Sequence, residues 1–464
     1  MQVSHAATAV SASFDEPNLV SSAGLLPIMR LAEKAGLRAL ADRWLSVPTD
    51  KGANPGLKVA SLVGGMVAGA DSIDDMAVLR HGGMQKIFTA CYAPSTLGSF
   101  LRQFTFGHVR QLDAVASRFL GNLTEEAPLL PVDDAVEYVL LDVDDTIIEV
   151  HGHQKQGSGY GYSGVRGINA LLATVKTSIS APVIIGQRLR RGACGSPRGA
   201  ARLIRDALAT IRRLHGLKSA RVLFRADSAY YGFASVNAAI TSGAAVSVTA
   251  RMDPAIKRAI ATIPDDAWEA IEYTDAIYDE ETKTWISHAE VAEVAFTAFT
   301  SRKKSEHISG RLVVRRIPEL NKKNLNHPTL FDTHRFHAFF TTSDLDTVTA
   351  DKTHRGHAVI ELVHADLKNS ALAHLPSGVF TANAAWLVLA VIAFNLTRAA
   401  ATITGPALAK ATTATIRRKI ISIPARIASS ARKLTLHLPE NWPWETGWVA
   451  LFTSSCGPPT TATT

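Results

Sequence analysis

The segment His354–Ser370, "HRGHAVIELVHADLKNS", places one carboxylate among several histidines and a lysine. Its polar side chains recur at steps of three and four residues, the spacing of one helix face: His354, His357, Glu361, His364 and Lys368. The apolar residues recur at helical spacing on another face. The pattern predicts an amphipathic helix. Whether Glu361 also does chemistry depends on which other groups the fold brings to it.

Two other places in the chain supply carboxylates on predicted strands. The segment "YVLLDVDDTIIEVHG" alternates, is rich in β-branched residues, and carries Asp142, Asp144 and Asp145. The segment "ARVLFRADSAYYG" is typical of a strand that ends in Asp227. Ligands of open α/β sheets bind at strand ends. Because side chains alternate, Asp142 and Asp144 lie on one side of their strand and Asp145 on the other.

Acids of this kind, brought together, favour one sort of chemistry. Carboxylates that share a site are costly to ionise unless a cation lies between them. Ligation by oxygen alone favours Mg²⁺ or Mn²⁺. Two such ions, roughly 3.5 to 4 Å apart, activate a nucleophile and stabilise the leaving oxygen in phosphoryl transfer. The residue types therefore suit metal-dependent phosphodiester chemistry if the aspartates and Glu361 converge, which spacing alone does not show.

The elements that must position these acids follow a simple order along the chain. A helical region comes first, strands then open an α/β region with a mixed sheet, and a segment of short strands separates Asp227 from the Glu361 helix. We predict the following segments: 1–20, flexible; 21–128, helical; 129–253, first part of the α/β core; 254–340, β-rich insertion; 341–405, second part of the core; 406–464, basic region and disordered tail.

Composition narrows the class of protein. The chain has 464 residues, a net charge of +8 and a pI near 9.4, which suits a polyanionic partner. Its three cysteines lie far apart, so no disulfide framework or cysteine zinc site is indicated. The N-terminus lacks signal-peptide order, and the apolar stretch Trp386–Leu396 is too short to cross a bilayer. We therefore expect a cytoplasmic protein with no membrane partner, in which this stretch is a buried core helix.

The ordered set of motifs resembles a known family. It consists of "LDVDDTIIEVHGHQKQGSGYGYSGVRG", "VLFRADSAYYG", "FHAFFTT" and "HRGHAVIELVHADLKNS" followed by "PSGVFTANAAWLVLAVIAFNL". The set is similar to that of the DDE transposases of bacterial insertion sequences, in particular the group numbered thirteen-eighty, over residues 20–400. The resemblance implies an RNase H-like mixed sheet with flanking helices, a β-rich insertion between the second aspartate and the glutamate, and an N-terminal all-α DNA-binding region.

The resemblance also implies the site and its chemistry. The family's acids fall on Asp144, Asp227 and Glu361, separated by 83 and 134 residues, and they would hold two Mg²⁺ or Mn²⁺ ions, with Asp142 as a further candidate ligand. The implied activity is cleavage of DNA at the ends of the insertion sequence, followed by strand transfer into target DNA. The implied partners are DNA with terminal inverted repeats and a second copy of the chain in a synaptic homodimer.

Several basic residues are candidates for DNA contacts. Related transposases carry a tyrosine and an arginine seven and four positions before the glutamate, where this chain has histidines, so the phosphate-binding role of that turn departs from the family pattern. Trp285, in the insertion, is a candidate for stacking on an extruded base. The DNA-binding candidates are Lys368, Arg355 and His357 near the glutamate, Arg190 and Arg191 in a basic loop, and Arg102 and Arg110 on the helix predicted after Pro94.

Three alternatives remain open at this point. "DVDDT" also fits the D-x-D-x-T motif of haloacid dehalogenase-like phosphohydrolases, with Asp142 as nucleophile and Asp144 as acid–base. His357, Glu361 and His364 share one helix face and suit a transition-metal site. A DNA-binding protein without catalytic activity is the third alternative.

Overall fold

The computed structural model describes most of the chain, and the side chain of Trp285 lies outside the described part. The described residues are 1, 4–48, 50–131, 138–151, 154–279, 283–318, 334–430 and 433–458.

The strands contain the alternating, β-branched segments of the sequence. They are β1 (Leu19–Val20), β2 (Tyr138–Glu149), β3 (Gly159–Tyr160), β4 (Arg166–Lys176), β5 (Val183–Arg190), β6 (Arg221–Ala226), β7 (Ala245–Thr249), β8 (Glu269–Asp279), β9 (Thr284–Ala298), β10 (Ile308–Pro318), β11 (His334–Thr341), β12 (Ala425–Ser430) and β13 (Lys433–His437).

The helices precede, connect and follow these strands. They are α1 (Leu25–Lys34), α2 (Leu37–Trp44), α3 (Pro55–Ala68), α4 (Met84–Ile87), α5 (Pro94–Arg102), α6 (Phe106–Glu126), α7 (Ala200–Ile211), α8 (Phe233–Thr241), α9 (Pro254–Ile260), α10 (Thr347–Arg355), α11 (Val359–Lys368), α12 (Phe380–Ile403), α13 (Pro406–Ala409), α14 (Thr413–Ile416) and α15 (Glu445–Cys456).

One mixed sheet organises the middle of the chain. Among the described residues its strand order is β3-β4-β2-β6-β7-β11-β10-β9-β8, and β5 pairs with β4 outside this path. Neighbours β5, β4 and β2 are antiparallel, whereas β6 and β7 run parallel to β2 and are reached through helices α7 and α8. Parallel neighbours need such crossover connections. The prediction of a mixed α/β fold with flanking helices is confirmed.

The predicted insertion is rich in strands, and these strands continue the main sheet. Strand β11 pairs with β7 of the core and with β10, and β9 and β8 follow outward, all antiparallel. The predicted boundary at residue 340 therefore falls inside β11, one residue before its end. This segment adds an antiparallel extension to the edge of the α/β core.

Helix α12 is the centre of the hydrophobic core. It packs against β5 on one side and against α1, α3, α5 and α6 of the N-terminal region on the others. It has 24 residues, so the sequence estimate of its length was wrong, and by length and composition it matches a membrane span. However, 89% of its most apolar window is buried inside the protein, as expected of a core helix. The N-terminal helices thus share one core with the sheet.

The single helix predicted after Pro94 is two helices. α5 ends at Arg102, and Thr105 begins α6 with a capping box, in which the Thr105 hydroxyl accepts from the His108 N–H and the Thr105 N–H donates to the His108 ring. Such a cap fixes a helix start. Arg102 and Arg110 therefore do not share one helix face.

The two ends of the chain meet in a small sheet. Strand β1 pairs with β12, and β12 pairs with β13. Leu19 and Val20, inside the segment predicted to be flexible, are therefore ordered by the C-terminal region.

Candidate active site

Asp144 and Asp227 lie on neighbouring parallel strands at the same level. β2 and β6 pair with a constant offset of 83 residues, from Tyr138 opposite Arg221 to Asp142 opposite Arg225. The same offset, two residues further on, places Asp144 beside Asp227, which directly follows β6 in extended conformation. Paired residues of adjacent strands point to the same face of a sheet. The sheet therefore places these two carboxylates side by side on one of its faces.

Glu361 comes to the same place on helix α11. The helix packs against β2, and Glu361 is exposed in its first turn. Burial, with the charges of Asp227, Asp145 and Glu361, raises the pKa of Asp144 to about 7. Burial is also the main cause of a raised pKa at Asp227, whose carboxylate accepts a hydrogen bond of 3.0 Å from the Ala229 N–H. Asp227 and Glu361 therefore lie close enough to Asp144 for their charges to oppose its ionisation.

A buried ion pair fixes the strands beneath this cluster. The Arg225 guanidinium, on β6, donates two hydrogen bonds of 2.7 Å to the two carboxylate oxygens of Asp142 on β2. Both side chains are almost fully buried. Burial raises the pKa of Asp142, and the charge of Arg225 opposes that rise. Asp142 is thus occupied by an arginine, which argues against its suggested role as a metal ligand and against the phosphohydrolase nucleophile.

Arg225 also holds the turn that leads into α11. Its remaining N–H groups donate to the backbone carbonyls of Thr353, in the last turn of α10, and of Gly356, which directly follows α10. One side chain therefore links both aspartate-bearing strands to the segment that carries Glu361. A bidentate guanidinium with further carbonyl partners has a narrowly defined geometry.

His364 packs against the acids from the same helix. Its Nδ1 lies 3.7 Å from Oδ2 of Asp144, and the ring is buried. Burial, assisted by the charge of Lys368, lowers the pKa of His364 to about 4, so the ring is neutral near pH 7. Among the described residues its Nε2 has no hydrogen-bond partner.

A second buried network supports the opposite face of β2. Asp145 accepts a 2.6 Å hydrogen bond from the Tyr230 hydroxyl, another from the Asn169 amide, and pairs with Arg190 at 3.1 Å. Arg190 also donates to the backbone carbonyls of Ser196 and Arg198. Arg190, which was predicted to contact DNA, is buried and holds the loop between β5 and α7.

The histidine turn before Glu361 is largely internal. His354 stacks on Phe339 at 4.1 Å and lies within 3.0 Å of the hydroxyls of Ser247 and Thr249, buried from solvent. Its pKa is lowered well below the ordinary value, chiefly by burial. His357 donates from Nδ1 to the His354 carbonyl at 2.8 Å.

Of the other predicted DNA contacts, two form ion pairs within the protein and three are exposed. Arg355 pairs with Asp351 at 2.8 Å, and Arg110 pairs with Asp113 at 2.9 Å, so the structure gives both internal partners. The remaining three predicted cations are exposed: Arg102, Arg191 and Lys368.

No ready-made metal centre is present in the described part of the chain. No group of three or more His, Cys, Asp or Glu side chains there is arranged to hold an ion. This applies to the transition-metal alternative of His357, Glu361 and His364, and equally to the three acids. Carboxylates without a cation repel one another, so the metal-free cluster is expected to be wider than a ligand shell.

Sequence reasoning missed the residues that hold the acids in place. Arg225 lies two positions before Asp227 and is separated from Asp142 by the same 83 residues that separate Asp144 from Asp227. Two strands that place Asp144 beside Asp227 therefore also place Arg225 beside Asp142. Tyr162 was missed too. Its side chain is largely exposed, but its pKa is raised by partial burial and by the charges of Asp145 and Asp144.

Comparison with known proteins agrees with this geometry. The family model described as transposase DDE domain group 1 matches residues 3–454, nearly the whole chain. A search of curated proteins found no match. With its acids at one edge of a mixed sheet, the chain belongs to the DDE transposases of this group.

Proposed function

We propose that this transposase cleaves DNA at the ends of its own insertion sequence in the presence of Mg²⁺ or Mn²⁺ and joins those ends to target DNA. The observation that carries the proposal is the convergence of Asp144, Asp227 and Glu361, which lie far apart in sequence but whose charges meet at Asp144. A strongly raised carboxylate pKa is typical of functional sites.

The donor chemistry of the cluster fits divalent cations. Asp144, Asp227 and Glu361 offer oxygen ligands alone, which Mg²⁺ and Mn²⁺ prefer. Bound between these carboxylates, the ions would supply charge neutralisation and activation of the attacking group. Asp142 and Asp145 are held by arginines and serve the fold around them.

The residues of the chain have separate tasks in this proposal. Asp144, Asp227 and Glu361 would hold the metal ions beside the scissile phosphate. Lys368 lies seven residues after Glu361 on α11, roughly 10 Å further along the helix axis. There it contacts the DNA backbone. The neutral His364 ring packs beside Asp144 and limits its movement. Water attacks the first phosphodiester and frees a 3′-hydroxyl, which then attacks the target phosphodiester, so no protein nucleophile is needed.

The proposal also includes the DNA partner, the oligomeric state, the core fold and the cellular location. The net charge of +8 supports a DNA partner. We further propose that the chain acts as a homodimer that joins two DNA ends, with an RNase H-like core, in the cytoplasm. The order β5-β4-β2-β6-β7, with the acids after β6 and within β2, supports that core.

The test is nicking of DNA that carries the inverted repeats flanking the gene. Purified protein with Mg²⁺ should nick at the repeat boundary, and Asp227→Asn should abolish nicking while leaving DNA binding, measured by fluorescence anisotropy, within about twofold. Asp253→Asn is the matched control, because Asp253 is also an exposed carboxylate that caps a helix start, at α9. Equal nicking by wild type and Asp227→Asn, or loss in both variants, would refute the proposed site.

A further inference from the structure

Tyr230 connects the turn that follows Asp227 to the strand that carries Asp144. Strand β2 extends several residues beyond the end of β6, so in the described part of the sheet Asp145, the residue after Asp144, pairs with β4 but not with β6. Tyr230 comes from the turn after β6, and its hydroxyl donates to Oδ1 of Asp145 at 2.6 Å. This hydrogen bond therefore joins the two segments that present the neighbouring carboxylates.

The turn between Asp227 and Tyr230 also holds the Asp227 carboxylate. Residues 228–230 form a short 3₁₀ turn, and Asp227 caps its start by accepting from the Ala229 N–H at 3.0 Å. The Tyr230 N–H donates to the Asp227 carbonyl at 3.2 Å. A single turn thus separates the Asp227 carboxylate from the Tyr230 ring, so a shift of the ring is passed directly to the carboxylate.

Asp145 is itself held in a rigid, buried network. Asn169 on β4 donates its amide to the Asp145 carboxylate, and Arg190 on β5 pairs with that carboxylate at 3.1 Å. Arg190 also donates two hydrogen bonds, of 2.8 and 2.6 Å, to the side-chain oxygen of Asn169. These three side chains and Tyr230 are each at most 9% exposed. The Tyr230 hydroxyl is therefore bound at a position that three strands define.

This arrangement opposes the repulsion between the neighbouring acids. The charge of Asp227 acts on Asp144, and like charges without a cation between them repel. The bond from Tyr230 to Asp145 lies on the other face of β2, so it leaves the oxygens of Asp144 and Asp227 free. Burial and the charge of Asp145 raise the pKa of Tyr230, so the hydroxyl keeps its proton and remains a donor. Loss of this hydroxyl would let the two carboxylates separate without removing either.

We propose that Tyr230 is a positioning residue that sets the affinity of the acid cluster for divalent cations, because its hydroxyl holds Asp227 level with Asp144. The inference rests on the proposed function, in which these acids bind Mg²⁺ or Mn²⁺. Side chains that orient metal ligands without touching the metal typically contribute about 10- to 100-fold to metal affinity. Tyr230 acts through Asp227 and contacts neither the cation nor DNA.

The test is Tyr230→Phe in the full chain, which removes one oxygen atom and leaves Asp145 with its other two donors. The variant should bind Mn²⁺ roughly tenfold more weakly or worse, measured from the electron paramagnetic resonance signal of the free ion. Asp227→Asn should abolish this binding in the same measurement, which locates the ion at the acids.

Tyr138→Phe is the matched control. The hydroxyl of Tyr138 is also buried and donates to an aspartate, Asp344, at 2.9 Å, but it lies at the start of β2, roughly 20 Å before Asp144. This variant should bind Mn²⁺ as wild type does. In EDTA the melting temperature of Tyr230→Phe should fall no further than that of Tyr138→Phe.

Nicking of the inverted-repeat DNA distinguishes positioning from structural support. Tyr230→Phe should need roughly tenfold more Mn²⁺ for its half-maximal rate, whereas its rate at saturating Mn²⁺ should stay within about threefold of wild type. A structural role alone would lower the rate at every Mn²⁺ concentration and leave the half-maximal concentration unchanged.

The outcomes separate this inference from the proposed function. Wild-type Mn²⁺ affinity in Tyr230→Phe, equal losses in Tyr230→Phe and Tyr138→Phe, or a much lower melting temperature in Tyr230→Phe alone would overturn the inference. If wild type nicks DNA but binds no Mn²⁺ in the absence of DNA, the inference fails and the transposase proposal stands. If wild type neither binds Mn²⁺ nor nicks DNA, both fail.

Discussion

The ion pair of Arg225 and Asp142 allows a quantitative prediction. Its side chains are 1% and 2% exposed. Removing one partner of such a pair leaves an uncompensated buried charge and costs about 3 to 5 kcal/mol. Arg225→Met should therefore destabilise the protein by about that amount. Because removing both charges leaves no unpaired ion, Arg225→Met with Asp142→Leu should regain at least half of the loss.

The assay is a double-mutant cycle on the free energy of unfolding in urea, in which tryptophan fluorescence monitors unfolding. The pair Arg302 and Glu306, separated by 3.0 Å and with side chains that are 47% and 30% exposed, provides the control cycle. Its coupling energy should stay below about 1 kcal/mol, as for other surface pairs. A coupling at Arg225 and Asp142 no larger than in the control would refute the reasoning. The stable double variant should still nick DNA poorly, because the carbonyls of Thr353 and Gly356 have lost their donor.

Further predictions concern pH, DNA binding and the core. Burial and neighbouring carboxylates raise the pKa of Asp144 to about 7 from 3.8, so the folded, metal-free protein keeps a proton there that the unfolded chain has lost. The stability of the metal-free protein should thus fall by about 1.4 kcal/mol per pH unit as pH rises from about 4 to 7, and Asp144→Asn should remove that slope in urea unfolding. Arg190→Met should lower the melting temperature, whereas Arg191→Ala should leave it unchanged and reduce the salt dependence of DNA binding. The opposite pattern would show that Arg190 is the DNA contact. Asn395→Leu should cost about 1 to 3 kcal/mol in the same unfolding assay, because the Asn395 amide accepts from the N–H of Ile184 in β5 and donates to the carbonyl of the same residue; a neutral effect would contradict this.

The sequence predicted the local elements of the site better than their partners. Alternation located β2 and β6, and helical spacing located α11, because these patterns record which side of an element is buried. Side-chain types also marked Asp144, Asp227 and Glu361 as candidates. The pattern could not show that Asp142 faces Arg225, because pairing across strands depends on register, which a single strand does not encode.

The same limit applies to the charged residues. Arg190 and Arg110 stand in basic or amphipathic segments and were assigned to DNA, yet Arg190 pairs with Asp145 and Arg110 pairs with Asp206, both distant in sequence. Whether an arginine is free to contact DNA or is held in an ion pair within the protein depends on its neighbours in the fold. The local sequence does not give those neighbours. The length of α12 was underestimated because polar residues such as Asn395 seemed to interrupt it, whereas the fold gives that amide a backbone partner.

The central position of α12 has a consequence for synthesis of the protein. Helix α6 ends at Glu126, but α12, against which the N-terminal helices pack, begins only at Phe380. At 5 to 20 residues per second, a ribosome needs roughly 10 to 50 seconds to make the chain between them. During that interval the apolar faces of the early helices lack their final partner. The nascent chain is thus exposed to aggregation and to chaperones until the ribosome has made most of its length.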